Sequence, residues 1–555
     1  MPVVEATRWD INWSQIWDEV AEQIPDAPAL LSAEGVATSF AQLEDRASRL
    51  AEALRCLGGG RDDTIGLFMY NRPEYLEAIY AAFKLSAIPV NMNFRYKPAE
   101  LVELLDVSKS GIIVAPSSLR GTIAEAFARM DRPPLLIEVD DSDLQGPAPV
   151  DPIPGALELE SLIGDRLSEP VERHGTDFIY IFTGGTTGTP KVVMWTHGNL
   201  LDAQRVPLYG TGAGPLPESI AEMVAVAVDA SKPKPRLLPI SPLMHSSAMF
   251  NAMNTLALGG AVVLLDNPSF DPAQVLGAVD RLGVTRIVIA GNAVATPLVD
   301  ELRRARDSGA PHDVSTVDQF ISSGMAWTDA SKAELLEFTS GALLFDIFGS
   351  TEGGPFAYAF VRSPEDLPST IILANEAAVL AEDGGEIDPE AVGETGILAY
   401  YGPKPVGYLD APQKTAETYR HLGERIYVAP GDYVRLLGGG RIEFLGRGSS
   451  SVNTGGEKVY PAEVEDALRT HPDVTDVVVF GVADRRWGQA VAAVVAVRDG
   501  ADVSVETLRA RVGELLAGYK KPKHIAIVES LERTPSGKAD MRRMQSLIAE
   551  LISVG

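Results

Sequence analysis

The amino-acid sequence predicts an α/β fold with a large N-terminal domain of parallel-rich sheets flanked by helices and a small α+β C-terminal domain. Buried-strand patterns alternate with helical periodicity along most of the chain, which is typical of parallel sheets covered by helices. A chain of 555 residues is too long for a single hydrophobic core. After about Gly448 a compact set of predicted helices and strands follows. We therefore predict one domain at 1–447 and a second at 448–555.

The N-terminal domain is predicted from two series of alternating elements. The first begins with a helix, because apolar residues from Phe40 to Leu54 recur at helical spacing and glycines at 58–60 end the pattern. It continues with a strand at 64–69, a helix at 73–85, a strand at 87–90 and a helix at 98–108. The second series has a strand at 261–265, a helix at 272–282, a strand at 286–290 and a helix at 295–304. Proline and glycine predict surface loops at 143–154 and 210–217.

The C-terminal elements follow a predicted hairpin turn at Gly438-Gly439-Gly440-Arg441. They are a helix at 461–470, strands at 474–482 and 490–497, a helix at 505–516 and a strand at 524–528.

Composition and charge exclude several function classes. A net charge of -28 argues against nucleic acid and against an anionic membrane surface as partners. The single cysteine, Cys56, which we expect to be buried in a helix, excludes an intramolecular disulfide, and the seven histidines lack metal-ligand spacing. No signal peptide or membrane-length apolar run is visible, so we expect a soluble cytoplasmic protein.

A loop after an apolar strand at 180–182 has the composition of a phosphate site. Its glycines allow backbone N–H groups to approach an anion, its threonines add hydroxyl donors, and Lys191 adds a positive charge. Pro190 stands where the Walker motif requires glycine, so the common NTPase loop is excluded. The loop residues before Pro190 that we assign to phosphate binding are Thr183, Gly184, Gly185, Thr186, Thr187 and Gly188.

A second apolar strand, at 345–348, also runs into glycine and hydroxyl residues. It is followed by Gly349, Ser350, Thr351 and Glu352. The carboxylate of Glu352 is a ligand that suits Mg²⁺. A phosphate loop and a metal carboxylate in one chain together indicate ATP.

Four further motifs complete a family pattern: Gly431-Asp432-Tyr433, Gly446-Arg447, the stretch 455–461 and the stretch 533–538. With them the chain resembles the adenylate-forming (ANL) superfamily of acyl-CoA synthetases, peptide-synthetase adenylation domains and luciferases, from about Trp13 to Arg543. The amino-acid sequence around 455–461 is most similar to that of actinobacterial fatty-acid and steroid CoA ligases. The resemblance implies that a bulky apolar carboxylate reacts with ATP to give acyl-AMP and is then transferred to coenzyme A.

The resemblance also implies roles in nucleotide binding. The loop from Thr183 to Lys191 would hold the β and γ phosphates, and Thr351 with Glu352 would hold a phosphate and Mg²⁺. Asp432 would bind the ribose hydroxyls, and Arg447 would make a second ribose or phosphate contact. The adenine would lie on Phe348, and the residues bordering it would be Gly324, Met325 and Ala326.

The remaining implied roles concern catalysis, CoA and the acyl group. The resemblance makes Lys538 the lysine that reaches the carboxylate and α-phosphate during adenylation, on a small domain that rotates about a hinge at Ser449. It places Gly455, Gly456, Glu457 and Lys458 on the CoA side after that rotation. His245 would gate an acyl pocket formed with Met249 and Phe250. A homodimer is also compatible with the family.

Two positions depart from the family pattern. Val192 stands where the phosphate loop normally has glycine, and Ser449 where the hinge has an acidic residue or lysine. A left-handed backbone at Val192 would cost roughly 1–2 kcal/mol, and its side chain could exclude the phosphates. A partial enzyme that only transfers a preformed acyl-adenylate to CoA therefore stays open. So do a free-standing adenylation domain, luciferase chemistry and a non-catalytic acyl-AMP-binding homologue.

Overall fold

The computed structural model describes residues 7–554 apart from 143–150, 168, 184–190, 210–214, 266, 448–451, 455, 456, 485–487, 517 and 534–538. The chain divides into two compact units. Unit 1 contains Met1–Thr370 and Tyr401–Tyr419, and unit 2 contains Ile371–Tyr400 and Arg420–Gly555. The domain boundary predicted near residue 448 falls inside unit 2 and stays a prediction.

The helices and strands are numbered in chain order. The helices are α1 (Trp13–Gln23), α2 (Phe40–Cys56), α3 (Pro73–Lys84), α4 (Pro98–Ser108), α5 (Arg120–Phe127), α6 (Leu159–Leu162), α7 (His197–Tyr209), α8 (Ile220–Val228), α9 (Ser246–Ala257), α10 (Pro272–Leu282), α11 (Gly291–Asp307), α12 (Asp329–Leu336), α13 (Pro412–Thr418), α14 (Pro461–Arg469), α15 (Val505–Leu515) and α16 (Met541–Val554). The strands are β1 (Pro28–Leu31), β2 (Ala37–Ser39), β3 (Thr64–Leu67), β4 (Ile88–Asn91), β5 (Ile112–Pro116), β6 (Leu135–Val139), β7 (Leu157–Glu158), β8 (Phe178–Thr183), β9 (Lys191–Thr196), β10 (Arg236–Pro239), β11 (Ala261–Val263), β12 (Arg286–Ile289), β13 (Gln319–Ser323), β14 (Leu343–Ser350), β15 (Gly353–Val361), β16 (Ile371–Leu373), β17 (Ala377–Leu380), β18 (Glu386–Ile387), β19 (Thr395–Tyr400), β20 (Gly407–Tyr408), β21 (Tyr419–Leu422), β22 (Arg425–Val428), β23 (Asp432–Gly438), β24 (Arg441–Arg447), β25 (Val452–Thr454), β26 (Glu457–Val459), β27 (Val474–Asp484), β28 (Gly488–Val497) and β29 (His524–Val528).

Unit 1 is built on two sheets. In the first, the strand order is β20-β9-β8-β4-β3-β5-β6-β7, with β3 to β8 running parallel and β9 and β20 added in antiparallel fashion. In the second, the order is β15-β14-β13-β12-β10-β11-β1-β2, parallel except for β15 and β2. The carboxyl ends of the parallel strands therefore gather at one edge of each sheet, where ligands of such sheets usually bind.

Both predicted series of alternating elements are confirmed in unit 1, with ends that differ by a few residues. Local chemistry explains where the helices begin: Ser39 caps α2 in a capping box with Gln42, and a proline opens α3, α4 and α10. The expectation that Cys56 is buried is wrong. It is the last residue of α2 and its side chain is exposed.

Unit 2 contains a sheet that is covered on both faces. The order is β26-β25-β28-β27, with β29 parallel to β28. Val491, Ala493 and Val495 of β28 pack in one hydrophobic core and the alternate residues 492, 494 and 496 in another. This explains the uninterrupted apolar run in β28, because both faces of the strand are buried. The hairpin predicted at 438–441 joins β23 to β24, and the predicted helices and strands after residue 460 are confirmed.

Within the part of the chain that the structure describes, no helix has both the length and the hydropathy needed to cross a membrane.

Candidate functional site

The two strands that flank the phosphate loop form an antiparallel hairpin. Thr183, at the end of β8, lies opposite Lys191, at the start of β9. The hairpin therefore brings both ends of the loop together at the edge of the first sheet. The residues between them lie outside the described part of the chain, and they include the assigned Gly184, Gly185, Thr186, Thr187 and Gly188.

Lys191 is half-buried and lies against an aromatic ring. Its Nζ is 5.5 Å from the centroid of the Tyr408 ring. Burial lowers the pKa of Lys191, with a smaller effect in the same direction from Lys414, while Glu352 and Glu417 oppose the shift. Lys191 forms no ion pair with another described residue, so its charge is available to an anion.

Two tyrosines hold Glu352. The Tyr408 hydroxyl donates a hydrogen bond to Oε1 of Glu352 at 2.7 Å, and the Tyr419 hydroxyl donates to the Glu352 main-chain carbonyl at 3.2 Å. The side chain is buried, with the residue 8% exposed. The second carboxylate oxygen accepts no hydrogen bond from the described residues, which fits a ligand of a divalent cation. No group of three acidic, histidine or cysteine side chains in the described ranges could hold a metal alone, so phosphate oxygens would have to complete such a site.

Thr351 is tied to the side of the site assigned to the acyl group. The Trp195 indole donates to the Thr351 carbonyl oxygen at 2.9 Å, and its ring lies edge-on to Phe250 with centroids 6.3 Å apart. One buried tryptophan in β9 thus contacts both the nucleotide motif and the residue we assigned to the acyl pocket. Met249, the other assigned pocket residue, is fully buried on α9, whereas Phe250 is half-buried.

His245 precedes α9 and occupies its N-cap position. Its main-chain carbonyl accepts the first bond of the helix, from Met249 N at 3.0 Å. The residue is exposed, in contrast to the buried Leu243 and Met244 before it. An exposed imidazole at this position is compatible with the predicted gating role, which stays a prediction.

The segment assigned to the adenine lies at the edge of the second sheet. β13 and β14 are parallel neighbours, with Ser323 opposite Ile347. Gly324 therefore emerges beside Phe348, Gly349 and Ser350. Gly324 has a φ of +82°, and an added Cβ would meet no atom within 4 Å, so its face is open to a flat ligand.

Residues at the start of α11 fix the segment that follows Gly324. Asn292 N donates to the Ala326 carbonyl oxygen at 3.0 Å. A Cβ on Gly291 would lie 2.2 Å from that oxygen, so glycine is required for this approach. Met325 and Ala326 are thus held at the sheet edge by backbone contacts.

A buried ion pair lies beneath this edge. Lys332 Nζ is 3.3 Å from the Asp346 carboxylate and also donates to the Ser369 hydroxyl at 3.3 Å. Burial raises the pKa of Asp346, and Lys332 opposes the shift. The pair lies between α12 and β14, the strand that carries Phe348.

The assigned ribose and phosphate contacts belong to unit 2. Asp432 begins β23 and lies opposite Arg447, which ends β24. Antiparallel pairing therefore places these two positions together at one end of the β23–β24 strand pair. Of Arg447 the structure describes the strand backbone.

Other assigned residues lie partly or wholly outside the description. Lys538, Ser449, Gly455 and Gly456 are outside the described residues. Glu457 and Lys458 are described as backbone of β26, paired with Thr454 and Asn453 of β25. Their roles therefore stay predictions.

The left-handed backbone that the sequence left open at Val192 is absent. Val192 is the second residue of β9, lies opposite Phe182 and has no left-handed backbone. Its side chain is 0% exposed and packs in the core of the first sheet. Because adjacent strand residues point to opposite faces, the Val192 side chain is directed away from the face of Lys191. The premise of a strained or obstructing valine is therefore wrong.

Sequence reasoning missed several residues around the site. Tyr408 and Tyr419 carry no local signal, because their partner Glu352 is far away in sequence. Arg95 lines a cavity of about 520 Å³, part of which is open solvent, together with Tyr70 and Asn71. Its guanidinium lies 4.6 Å from the Phe94 ring and pairs with no acidic group in the described ranges, so it is a further candidate for binding an anion.

The model of the AMP-binding enzyme family matches residues 17–407. The chain belongs to this family. The model of the AMP-binding enzyme C-terminal domain matches residues 463–538. The predicted membership of the adenylate-forming superfamily is thereby confirmed.

Relatives of this AMP-binding enzyme align over almost their whole length. A 3-oxocholest-4-en-26-oate–CoA ligase of Rhodococcus rhodochrous is 34% identical over 541 residues, covering 96% of this chain and 95% of the relative. A medium/long-chain-fatty-acid–CoA/3-oxocholest-4-en-26-oate–CoA ligase of Mycolicibacterium smegmatis is 34% identical over 544 residues, covering 97% of each. The predicted enzyme class, an acid–thiol ligase that forms acyl-CoA through acyl-AMP, is confirmed.

Solved structures confirm the predicted fold class. The anthranilate CoA ligase AuaEII in complex with anthranoyl-AMP matches with a TM-score of 0.79 at 21% identity, covering 97% of this chain and 98% of that one. A benzoate CoA ligase from Burkholderia xenovorans matches with a TM-score of 0.75 at 20% identity, covering 96% and 99%. At this identity the similarity concerns the fold alone.

Proposed function

We propose that this AMP-binding enzyme is a complete acyl-CoA ligase for a bulky hydrophobic carboxylic acid of fatty, steroid or terpenoid type. The observation that carries the proposal is the cluster of Lys191, Tyr408 and Glu352 at the mouth of the phosphate loop. Tyr408 contacts both charged groups, with its hydroxyl on the carboxylate and its ring beside the ammonium. A cation and a carboxylate held in this way suit a nucleotide with its metal ion.

In the first half-reaction, a carboxylate oxygen of the acid attacks the α-phosphorus of ATP. The bond from that phosphorus to the bridging oxygen breaks and pyrophosphate leaves, which gives acyl-AMP. Lys191 and the loop would hold the departing phosphates, and Asp432 and Arg447 would hold the nucleotide. Such a reaction depends mainly on positioning and on charge stabilisation.

Glu352 would hold Mg²⁺ through its free carboxylate oxygen. When bound, the ion would neutralise charge on the phosphate oxygens. The Tyr408 hydrogen bond fixes the direction of that carboxylate, and the Trp195 bond fixes the neighbouring Thr351 carbonyl.

In the second half-reaction, the thiolate sulfur of CoA attacks the acyl carbonyl carbon. The bond from that carbon to the AMP oxygen breaks, and AMP leaves. Gly455, Gly456, Glu457 and Lys458 would lie along the CoA path. This step no longer needs the loop that holds the β and γ phosphates.

The proposed substrate class rests on the relatives and on the apolar lining near His245. The relatives named above carry fatty-acid and 3-oxocholest-4-en-26-oate substrates in their names. Phe250, half-buried in the first half of α9, offers aromatic surface and is backed by the buried ring of Trp195 from β9. A rigid or long apolar acid would bury more of this surface than a short one.

Two observations favour the complete ligase over an enzyme that only transfers a preformed acyl-adenylate. Val192 is unstrained and faces the core, and Lys191 and Glu352 are both in place. The retained charged residues also weigh against a non-catalytic binding homologue and, with the CoA ligase relatives, against a free-standing adenylation domain.

The test measures both half-reactions with medium-chain, long-chain and steroid acids. Pyrophosphate exchange reports adenylation, and thioester formation from a synthetic acyl-adenylate reports transfer. The proposal expects activity in both, and transfer without exchange would reveal the partial enzyme.

Lys538→Ala should lower pyrophosphate exchange about 100-fold and leave transfer unchanged, because the lysine charge is needed only while the α-phosphate reacts. Equal damage to both steps would contradict the rotating-domain mechanism.

We further propose a small C-terminal domain that rotates about Ser449, and we retain the homodimer as the proposed assembly. Limited proteolysis with and without an acyl-adenylate analogue would test the rotation. Analytical ultracentrifugation would test the assembly.

A further inference from the structure

A buried asparagine lies between the phosphate-loop strand and the segment that carries His245. Asn91 is the last residue of β4, the strand next to β8, and is 4% exposed. Its backbone is in register with Ile181. The position is the carboxyl end of a parallel strand, where the site forms.

The side-chain amide of Asn91 makes one hydrogen bond to the phosphate-loop strand and one to the segment before His245. Its Oδ1 accepts a hydrogen bond from Phe182 N at 2.8 Å, and its Nδ2 donates to the Met244 carbonyl oxygen. Phe182 precedes Thr183 and the phosphate loop, and Met244 precedes His245. Exchanging the amide oxygen and nitrogen would place two donors together and two acceptors together, so the bonds fix the orientation of the amide.

Asn71 provides a contrast at the neighbouring strand. Its Nδ2 donates to the carbonyl oxygens of Pro239 and Ser241, at 2.9 and 3.2 Å, and its Oδ1 accepts from Leu243 N at 2.6 Å. All these partners lie in the segment before His245. Asn71 therefore shapes this segment, whereas the hydrogen bonds of Asn91 connect it to the strand that leads into the phosphate loop, beside the apolar packing of Met244 against Phe182 and Val192.

We infer that Asn91 is a positioning residue that sets the distance between the acyl carboxylate and the nucleotide phosphates during adenylation. The inference rests on the proposed two-step function. In that reaction the attacking oxygen and the α-phosphorus belong to separate molecules, so the protein alone holds them in line. In acyl-AMP the two are already joined by a covalent bond. The amide bridge is therefore needed for the first half-reaction and dispensable for the second.

The experiment compares Asn91→Leu with Asn71→Leu in both half-reactions of the full-length enzyme. Asn91→Leu has similar volume and removes both bonds. The kcat of pyrophosphate exchange should fall about 100-fold, while the kcat of transfer from synthetic acyl-AMP stays within about threefold. Asn71→Leu should raise KM for the acid and leave the ratio of the two kcat values unchanged. A thermal melt of each variant reports folding.

A second variant, Asn91→Ala, tests the inference if Asn91→Leu does not fold. Asn91→Ala leaves room for a water molecule between Phe182 and Met244, and should show the same separation of the two steps at a smaller amplitude. Equal losses in both half-reactions, or the same separation in Asn71→Leu, would overturn the inference. A wild-type enzyme that transfers but shows no exchange would overturn the complete-ligase proposal itself, and the inference with it.

Discussion

Unit 1 and the C-terminal sheet of unit 2 place their polar side chains differently. In unit 1, three polar residues are buried and each is bonded to another element: Asn91 at the end of β4, Glu352 between β14 and β15, and Asp346 within β14. In the C-terminal sheet the strands contribute apolar residues to two cores, and the pair of Arg533 with Asp476 is partly exposed. The buried charge near this sheet is on a helix, where Glu463 of α14 pairs with Lys520. Buried polar groups are costly unless partnered, so a fold retains them where position matters. The difference indicates that the sheets of unit 1 add positioning hydrogen bonds to their apolar packing, while the strands of the C-terminal sheet are stabilised mainly by packing.

The largest effect should come from breaking one ion pair in each unit. Asp346→Ala leaves the Lys332 charge buried without its partner and should lower the free energy of unfolding by about 3–5 kcal/mol. Asp476→Ala removes the matching partner of Arg533 at the surface and should cost at most about 1 kcal/mol. Denaturant unfolding followed by circular dichroism measures both. Equal costs would abolish the distinction between the two regions.

The next largest effect concerns Glu352. Glu352→Gln keeps the shape of the side chain but removes the charge that suits Mg²⁺, so pyrophosphate exchange should fall about 100–1,000-fold. Tyr408→Phe, which removes only the hydroxyl on that carboxylate, is the matched control and should cost about tenfold or less. Steady-state exchange at several Mg²⁺ concentrations separates the two. A larger loss in Tyr408→Phe would mean that the tyrosine has a role beyond orienting Glu352.

Val192 sharpens the comparison, because it contributes apolar packing next to Lys191, at the point of unit 1 where polar contacts hold the site. Val192→Gly should lower the free energy of unfolding by about 2–4 kcal/mol, through lost burial and added chain entropy. It should not raise adenylation. Val192→Ala, which keeps the backbone restricted, should lose less. Faster pyrophosphate exchange in the folded glycine variant would restore the idea that valine obstructs the phosphates.

A smaller effect, confined to acid, should come from His197. Burial lowers its pKa to about 4, although Asp177 opposes the shift, and its Nδ1 accepts from Trp13 N at 2.9 Å. His197 therefore becomes protonated below about pH 6.5 in the unfolded chain, but only below about pH 4 in the folded chain. Stability should fall by about 2 kcal/mol between pH 7 and pH 5 on this account. Urea titrations at both pH values check it, and His197→Asn should remove this part of the loss.

The sequence predicts the fold well where a segment carries its own periodicity. The bounds of α4, α10 and β29 match the predictions, because the apolar spacing of all three and the opening prolines of the two helices are local signals. Residue type and neighbours also predict Lys191 and Glu352 as site residues, and the structure places both against Tyr408. The sequence could not find Tyr408 or Asn91, since their partners are brought close only by the sheets. It was wrong about Cys56, which lies at an exposed helix end, and it left the conformation of Val192 open, because helix-end exposure and backbone angles depend on packing and strand pairing.

The strand β28, which is buried on both faces, makes the chain prone to aggregation when it is not folded. Residues 490–497 contain only valine and alanine, without charge or proline, which is the composition of segments that assemble into intermolecular β-structure. In the folded sheet β27 and β29 cover both of its edges. In a chain in which this sheet has not yet formed, both edges of this segment are exposed and can pair with the same segment of other copies. Variants that loosen the C-terminal sheet should therefore appear first as insoluble material during expression, before any change in catalysis is measurable.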